Sequence, residues 1–292
     1  MRGEPEKGKY ISELSSTLAT NIFSMEKYVM NLSNLGKSLK ELEKEQLSNI
    51  KELIKYDPVN PYFYSKDFKK IDKFLFYLSY SQSWRNGISP RKPFPGFHPG
   101  IYKKQAMELN QNGDPLLHFL KSGSPNGRWK KNVILSTDKS NTNLLKADNL
   151  KIAIHIHVYY FDLLDEILKA IAHNKIKPDL LITTPFQKEV QKIERICDAY
   201  GLKIKSIILT PNIGRDIGPL VTGVGKIVDS EYDFYAHIHT KKVVHSDNSV
   251  AQEWREFLIS NLLGNSSFNM LDKIIFSFQK NRKLGLVFPD DP

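Results

Sequence analysis

Two different spacings of hydrophobic residues divide the chain near residue 150. Over residues 10–56 and 65–82, apolar side chains recur mostly at intervals of three to five residues, which is the spacing of amphipathic helices. After residue 150, short runs rich in β-branched and aromatic residues alternate with amphipathic stretches, as strands alternate with helices in α/β proteins. We therefore predict a helical region over residues 1–85 and an α/β domain over residues 151–292.

The predicted α/β domain alternates strand and helix throughout. Its strands are predicted at 151–160, 179–184, 203–210, 232–239 and 284–288, and its helices at 161–174, 186–201, 217–230 and about 251–281. Because right-handed crossovers join successive strands, the sheet should be mainly parallel and covered on both faces. Ligands of such sheets bind outside the carboxyl ends of the strands. The residues at those ends are 157–160, Thr183, Thr184, 212–219 and 237–242.

A basic segment connects the two regions. The chain carries 42 Lys+Arg against 32 Asp+Glu, a net charge of +10, and residues 76–150 hold 11 basic and 4 acidic residues. Such an excess attracts anionic lipid, nucleic acid or an anionic substrate, and solvated surface lysines are the alternative explanation. No zinc-finger spacing, aromatic RNA-binding motif or basic zipper is present, so nucleic acid is not an expected partner. Residues 86–99 and 134–150 have the composition of linkers.

Composition limits the protein class further. Hydrophobic residues make up 40% and charged residues 25%, so collagen-like and disordered classes are excluded. No signal peptide or apolar stretch of about 20 residues is visible, and we expect a cytoplasmic protein. The single cysteine, Cys197, excludes a disulfide framework within the chain and is expected to be buried in a helix. The serine-hydrolase elbow, the P-loop, the zincin motif and the dinucleotide-binding glycine motif are all missing.

The sequence PNIGRDIGP, residues 211–219, follows a predicted strand and opens a helix. Gly214 allows a tight turn, and a helix N-terminus behind it would offer N–H groups to an anion. Arg215 could pair with phosphate, and Asp216 could accept hydrogen bonds from sugar hydroxyls. An ordinary turn in which Asp216 caps the helix is an equal alternative.

The sequence AHIHTKK, residues 236–242, ends a predicted strand. His237 and His239 point the same way in a strand and could supply two metal ligands, but spacing identifies no third ligand beyond guesses at His245 and Asp247. Alternatively, imidazoles and lysines bind a diphosphate directly, or the histidines are hydrogen-bonded and the lysines solvated. IHIHVYY, residues 154–160, repeats the paired histidines. We predict one cleft holding the following residues: His157, Asn212, Asp216, His237 and His239.

The series IHVYYFDLLDEIL, DLLITT, NIGRDIGP, YDFYAHIHTKK, WREFLISNLLG and LGLVFP resembles the rhamnan synthesis protein F family over about residues 150–292. That family serves the assembly of bacterial cell-surface polysaccharides. NIGRDIGP and HIHTKK are the most specific parts of the match. Residues 97–129 resemble a short module found beside bacterial glycosyltransferase domains.

The resemblance implies a GT-A fold and a hexosyltransferase, with rhamnose as a candidate sugar. The donor would be a nucleotide-sugar, and the acceptor a glycan or lipid-linked glycan at the inner face of the plasma membrane, where residues 76–150 could contact anionic lipid. The implied donor-binding residues are His157, Tyr159, Thr183, Asn212, Gly214, Arg215, Asp216, His237, His239, Lys241 and Lys242. Asp216 is the candidate catalytic residue.

The resemblance also sets the expectation for cofactors. Transferases of this fold carry Asp-x-Asp where this chain has His237-Ile238-His239, so no Mg²⁺ or Mn²⁺ is firmly implied, because hard cations prefer oxygen ligands. Arg215, Lys241 and Lys242 would instead neutralise the diphosphate. The chain stops after a predicted strand, which suggests an incomplete domain whose base is missing or is Asp290 or Asp291. The alternative function is a non-catalytic glycan-binding or scaffold component.

Overall fold

The computed structural model describes residues 44–58, 73–85, 92–107, 113–138, 150–242 and 248–290. The chain forms two compact units, one of Met1–Val133 with Asp290–Pro292 and one of Ile134–Pro289. The helices predicted before residue 44 and the start of the helix predicted at 65–82 lie outside the described residues. Within the described part of the chain, no helix is long and apolar enough to cross a membrane.

The first unit is helical. Its helices are α1 (Lys44–Tyr56), α2 (Lys73–Arg85), α3 (Pro99–Ala106) and α4 (Pro115–Lys121). They share an aromatic core in which the rings of Phe97 and Phe119 stack with their centroids 4.1 Å apart. Asp114 caps α4 by accepting hydrogen bonds from the N–H groups of Leu116 and Leu117. The described residues before 86 therefore share one core with residues 92–133.

The second unit contains a parallel sheet, as the sequence predicts. Its described strands are β1 (Ile152–His157), β2 (Asp179–Thr184), β3 (Ile204–Leu209) and β4 (Phe234–His239), in the order β3-β2-β1-β4. All neighbouring pairs are parallel, so the carboxyl ends of the four strands lie at one edge. Every residue of β1 is buried, as expected for a central strand covered on both faces.

Helices cover the sheet. They are α5 (Leu164–Ala172), α6 (Val190–Ala199), α7 (Ile217–Pro219), α8 (Gly225–Glu231), α9 (Asn248–Leu263) and α10 (Met270–Lys280), with a π-helical segment, Leu220–Val224, between α7 and α8. The larger core joins Ile154 and Ile182 of the strands to α5, α6, α9 and α10. On the other face, Ala153 and Leu181 pack against Val224 and Val228 in a smaller core.

One prediction for the end of the chain is wrong, and the predicted helical stretch before it is divided in two. Residues 284–290 form no strand, and Leu286 is 73% exposed, so its apolar run is not buried against the sheet. The helix predicted at 251–281 is two helices, which break at Gly264. Gly264 has φ +86°, and a Cβ atom there would lie 2.2 Å from the carbonyl oxygen of Phe268, so only glycine fits this turn.

Candidate functional site

Four histidines lie side by side on one face of the sheet, at the carboxyl ends of β1 and β4. The register of the two strands pairs His155 with His237 and His157 with His239. The rings of His155 and His237 stack with centroids 4.9 Å apart, and those of His237 and His239 are 5.9 Å apart. The i, i+2 spacing in each strand produces this arrangement because alternate residues share a face.

A chain of hydrogen bonds connects three of these histidines through Thr183 of β2. Nδ1 of His237 lies 2.9 Å from Nδ1 of His155, and Nε2 of His155 lies 2.9 Å from Oγ1 of Thr183. The same oxygen lies 2.9 Å from Nδ1 of His157. The Thr183 side chain is buried, so as placed it would influence a ligand only through the histidines. His155 was not among the predicted site residues, although its i, i+2 spacing from His157 indicates that the two side chains share a face of the strand.

Asp216 reaches the histidines because of a glycine turn. Gly214 has φ +78° and Arg215 has φ +53°, two successive left-handed residues that reverse the chain after β3. A Cβ atom on Gly218 would lie 2.2 Å from the carbonyl oxygen of Ile213, so the turn packs tightly against the start of α7. Oδ2 of Asp216 then lies 3.5 Å from Nε2 of His237 and 3.4 Å from Nδ1 of His239.

The Asp216 side chain makes no capping hydrogen bond to α7. The simple helix-cap alternative is therefore not what the structure shows. The backbone N–H of Gly218 already donates to the carbonyl of Gly214 at 2.9 Å, and α7 itself has only three residues. The ligand-binding capacity of this turn accordingly resides in its side chains.

Burial keeps the histidines neutral. It lowers the pKa of His155 to about 3, with a further contribution from the neighbouring imidazoles, and it also lowers the pKa values of His157, His237 and His239. For Asp216, burial alone would raise the pKa, but a hydrogen bond from its own backbone and the adjacent His239 and His237 lower it overall. The site near neutral pH thus combines one carboxylate with uncharged imidazoles.

The basic residues proposed for diphosphate binding differ in their surroundings. Arg215 and Lys241 are exposed. Lys242 is also exposed, but its Nζ lies 2.6 Å from Oδ2 of Asp162 and 5.2 Å from the centre of the Tyr160 ring. Lys242 therefore has a carboxylate partner already, and the charge available to a ligand is larger at Arg215 and Lys241.

Two other predicted residues, Asn212 and Tyr159, lie in the segments that follow β3 and β1. Asn212 is exposed on the turn after β3. Tyr159 packs its ring against Tyr160 and Phe186, and its N–H donates to Oγ1 of Thr240, at 2.9 Å. This hydroxyl also accepts from the N–H of Tyr160, so Thr240 fixes the loop after β1.

Four other candidate residues from the sequence are not among the residues that the structure places at this site. Asp290, a candidate base, belongs to the helical unit and accepts hydrogen bonds of 2.6 Å from Nζ of Lys92 and the N–H of Gly96. His245 and Asp247, the guessed third ligands, lie outside the described residues, as does Asp291. The third group beside His237 and His239 is Asp216 instead.

Cys197 is buried in α6, as predicted. Burial raises the pKa of its thiol to about 12, with a smaller contribution from Asp198. A thiol with this pKa stays protonated near neutral pH and is a poor nucleophile. The chemistry of the α/β unit therefore centres on the histidines and Asp216.

The domain is a parallel α/β unit that carries paired histidines, and a carboxylate on a glycine turn, at the carboxyl edge of its sheet. The family model described as rhamnan synthesis protein F matches residues 118–292, more than half of the chain. The chain belongs to the rhamnan synthesis protein F family, which confirms the resemblance seen in the sequence. The matched region begins before the α/β unit and contains the entire candidate site. Family membership links the chain to rhamnan or related polysaccharide synthesis.

Two curated proteins are also similar to the chain. Both are described as uncharacterized protein WxcX, from two strains of Xanthomonas campestris pv. campestris, and each is 29% identical over 136 residues. The match covers 47% of this chain and 19% of each relative, so the aligned part is about a fifth of the relatives' length. No solved structure matches the chain significantly.

Proposed function

We propose that the α/β unit is a glycosyltransferase domain of bacterial polysaccharide synthesis, with a fold related to GT-A enzymes. It takes a nucleotide-activated hexose, with rhamnose as a candidate, and transfers the sugar to a glycan or lipid-linked glycan acceptor. The observation that carries the proposal is the placement of Asp216 beside His237 and His239 at the carboxyl edge of a parallel sheet. Ligands of such sheets bind at this edge.

The charges around the edge suit a sugar diphosphate. In the sequence, Arg215 precedes His237 and His239, and Lys241 follows them. Both basic side chains are exposed and can donate charge-assisted hydrogen bonds to phosphate oxygens. Positive groups aimed at the leaving diphosphate stabilise the charge that develops as the glycosidic bond breaks. We assign to Arg215 and Lys241 the main part of this role and to Lys242, paired with Asp162, a smaller part.

Asp216 is the group best suited to the sugar or the acceptor. Its carboxylate is partly exposed, at 28%, and is ionised because its pKa is lowered by a backbone hydrogen bond and the adjacent histidines, against the effect of burial. An ionised carboxylate accepts hydrogen bonds from sugar hydroxyls, and one that faces the acceptor hydroxyl can remove its proton. We place the reaction at the inner face of the plasma membrane, where the basic segment 76–150 would contact anionic lipid.

The alternative is a glycan-binding or scaffold domain that keeps the fold without turnover. The observation that favours it is the presence of His237 and His239 where GT-A enzymes carry two acidic metal ligands. The two functions differ in one property, because only a transferase releases free nucleotide diphosphate from the donor.

Binding and turnover therefore form the test. The protein is screened by thermal shift against uridine, guanosine and thymidine diphosphates and their hexose derivatives, with and without Mn²⁺. A selective rise in melting temperature that Arg215→Ala removes, and that the exposed α5 variant Lys169→Ala keeps, supports the donor site. Release of nucleotide diphosphate supports transfer. Binding of glycans without any binding of nucleotides would establish the scaffold function instead.

A further inference from the structure

Three potential ligand atoms meet at the carboxyl edge of the sheet. Asp216, His237 and His239 each offer one ligand atom, and these three atoms all lie within 4.8 Å of one another. The carboxylate oxygen is 3.5 Å and 3.4 Å from the two nitrogens. We propose that Asp216, His237 and His239 bind a divalent transition-metal ion of the zinc class, and not Mg²⁺ or Ca²⁺.

The distances fit such an ion. Bonds of about 2.0–2.2 Å from Zn²⁺ to nitrogen and oxygen, at tetrahedral angles, place neighbouring ligand atoms about 3.3–3.5 Å apart. The two oxygen–nitrogen distances already have this value. The two nitrogens lie within 4.8 Å, so an approach of at most about 1.5 Å completes the set, which a side-chain rotation supplies.

The donor set selects the kind of metal. Imidazole nitrogens suit Zn²⁺, Co²⁺ and Fe²⁺, whereas Mg²⁺ and Ca²⁺ are bound mainly by oxygen. Three protein ligands also leave at least one coordination position open. The Asp216 and His239 side chains are 28% and 32% exposed, so a water molecule or a phosphate oxygen can reach that position.

A buried atom without a hydrogen bond points independently to a ligand. Nε2 of His237 is buried and has no close hydrogen-bond partner among the described residues; Oδ2 of Asp216 lies 3.5 Å away, at the outer limit of hydrogen-bond distance. Buried polar atoms are normally satisfied, and leaving one unpaired costs about 1–3 kcal/mol. A metal ion between Nε2 and the carboxylate would supply the missing partner.

The hydrogen-bond chain allows this nitrogen to present a lone pair. If Nδ1 of His237 donates to Nδ1 of His155, Nε2 of His155 donates to Oγ1 of Thr183, which in turn donates to Nδ1 of His157. All three rings are then neutral, all three hydrogen bonds are made, and Nε2 of His237 carries no proton. Metal-binding histidines generally have their other nitrogen held in this way. His155 and Thr183 therefore act as positioning residues for the metal ligand.

The inference does not depend on glycosyl transfer, because it concerns binding of the ion alone. Tag-free full-length protein is stripped with EDTA, dialysed, and titrated with Zn²⁺ by calorimetry and with Co²⁺ by visible absorption, at pH 7.5. We expect one ion per chain at this site, a Co²⁺ spectrum with nitrogen and oxygen ligands, and no comparable binding of Mg²⁺ or Ca²⁺.

Variants separate ligands from positioning residues. His239→Ala and Asp216→Ala should each abolish the Co²⁺ spectrum, and both side chains are exposed enough for the fold to tolerate the change. Thr183→Val should weaken Zn²⁺ binding by about 10–100-fold, and Thr183→Ser should restore it. His173→Ala, at an exposed histidine after α5, is the matched control and should change nothing.

Several results would overturn the proposal. An unchanged Co²⁺ spectrum in His239→Ala or Asp216→Ala would exclude these side chains as ligands, and loss of the spectrum in His173→Ala would show that the effect is not specific to the site. Mg²⁺ binding as tight as Zn²⁺ binding would contradict the proposed choice of metal. A folded wild type that binds none of these ions would exclude the site altogether. Circular dichroism of each variant shows whether a loss of binding occurs in a folded protein.

Discussion

Nδ1 of His155 lies 2.9 Å from Nδ1 of His237 on the adjacent strand. One of the two nitrogens must donate and the other must accept, so the contact is a hydrogen bond only when the rings are not both fully protonated. His155 also contacts Thr183 through its other nitrogen and is fully buried. Because burial disfavours a charged ring, the folded protein holds His155 as a neutral imidazole.

We expect this requirement to make the protein less stable in acid. His155 has a pKa of about 3 in the folded protein, lowered by burial from 6.5, so between these values the unfolded chain binds more protons than the folded one. The neutral ring makes its full contribution to the free energy of unfolding above pH 6.5, and this contribution is lost progressively as the pH falls toward 3. At pH 5 the loss from His155 alone is about 2 kcal/mol.

Urea unfolding of the EDTA-treated protein at pH 7.5 and pH 5 measures this effect. Glutamine does not titrate. The free energy of unfolding of His155→Gln should therefore change between the two pH values by about 2 kcal/mol less than that of the wild type. His173→Gln, an exchange at an exposed site, should keep the wild-type difference. An equal pH difference in wild type and His155→Gln would contradict the prediction.

Substitution of Gly218 should displace Asp216. The added Cβ atom would lie 2.2 Å from the backbone oxygen of Ile213, so the turn has to move. We expect Gly218→Ala to reduce metal and nucleotide binding by at least tenfold and to lower stability by about 1–3 kcal/mol. Gly285→Ala is the control, because nothing lies within 4 Å of its added Cβ atom. Calorimetric titration of both variants checks the prediction, and unchanged binding in a folded Gly218→Ala would refute it.

The two lysines after β4 should contribute unequally to the binding of a diphosphate. Lys241 is exposed, whereas Lys242 is paired with Asp162 at 2.6 Å. In the presence of EDTA, Lys241→Ala and Arg215→Ala should each weaken binding of a nucleotide diphosphate by about 10–100-fold, the effect of one charge-assisted hydrogen bond. Lys242→Ala should have a smaller effect. A larger loss in Lys242→Ala than in Lys241→Ala would reverse this assignment.

Cys197 should resist alkylation in the folded protein. Its thiol is buried, and burial raises its pKa to about 12, so almost no thiolate exists at pH 8. Iodoacetamide should therefore leave the native protein unmodified and add one group after denaturation in urea. Because Cys197 is the single cysteine, intact mass spectrometry gives the result directly. Rapid labelling of the native protein would show that the thiol is accessible.

The parallel sheet and the shared face of the paired histidines could be anticipated because they depend on local patterns. Alternation of strand and helix predicts parallel β1 to β4, and the i, i+2 spacing predicts that His237 and His239 share a face. The strand predicted at residues 284–288 is wrong, because a short apolar segment has the pattern of a strand whether or not a neighbouring strand is available to pair with it.

The contacts of Asp216 with His237 and His239 could not be predicted in the same way, although the sequence places Asp216 in the predicted cleft. Its approach to His237 depends on two successive left-handed residues, Gly214 and Arg215, and glycine alone signals only the first of them. The contact of Thr183 with both His155 and His157 depends on the lateral register of two strands, which no spacing within one strand encodes. The sequence therefore predicts that Asp216 and the histidines share one edge of the sheet, but not the individual contacts among them.

The helical unit is discontinuous in sequence, because Asp290 belongs to it while Ile134–Pro289 forms the other unit. A single cleavage after residue 133 would consequently leave the N–H of Gly96 and the ammonium group of Lys92 on a different fragment from the carboxylate that they bind. The α/β unit thus lies in sequence between residues of the helical unit. A protein engineer who wishes to exchange it has to join the new domain at two points, one before Ile134 and one after Pro289.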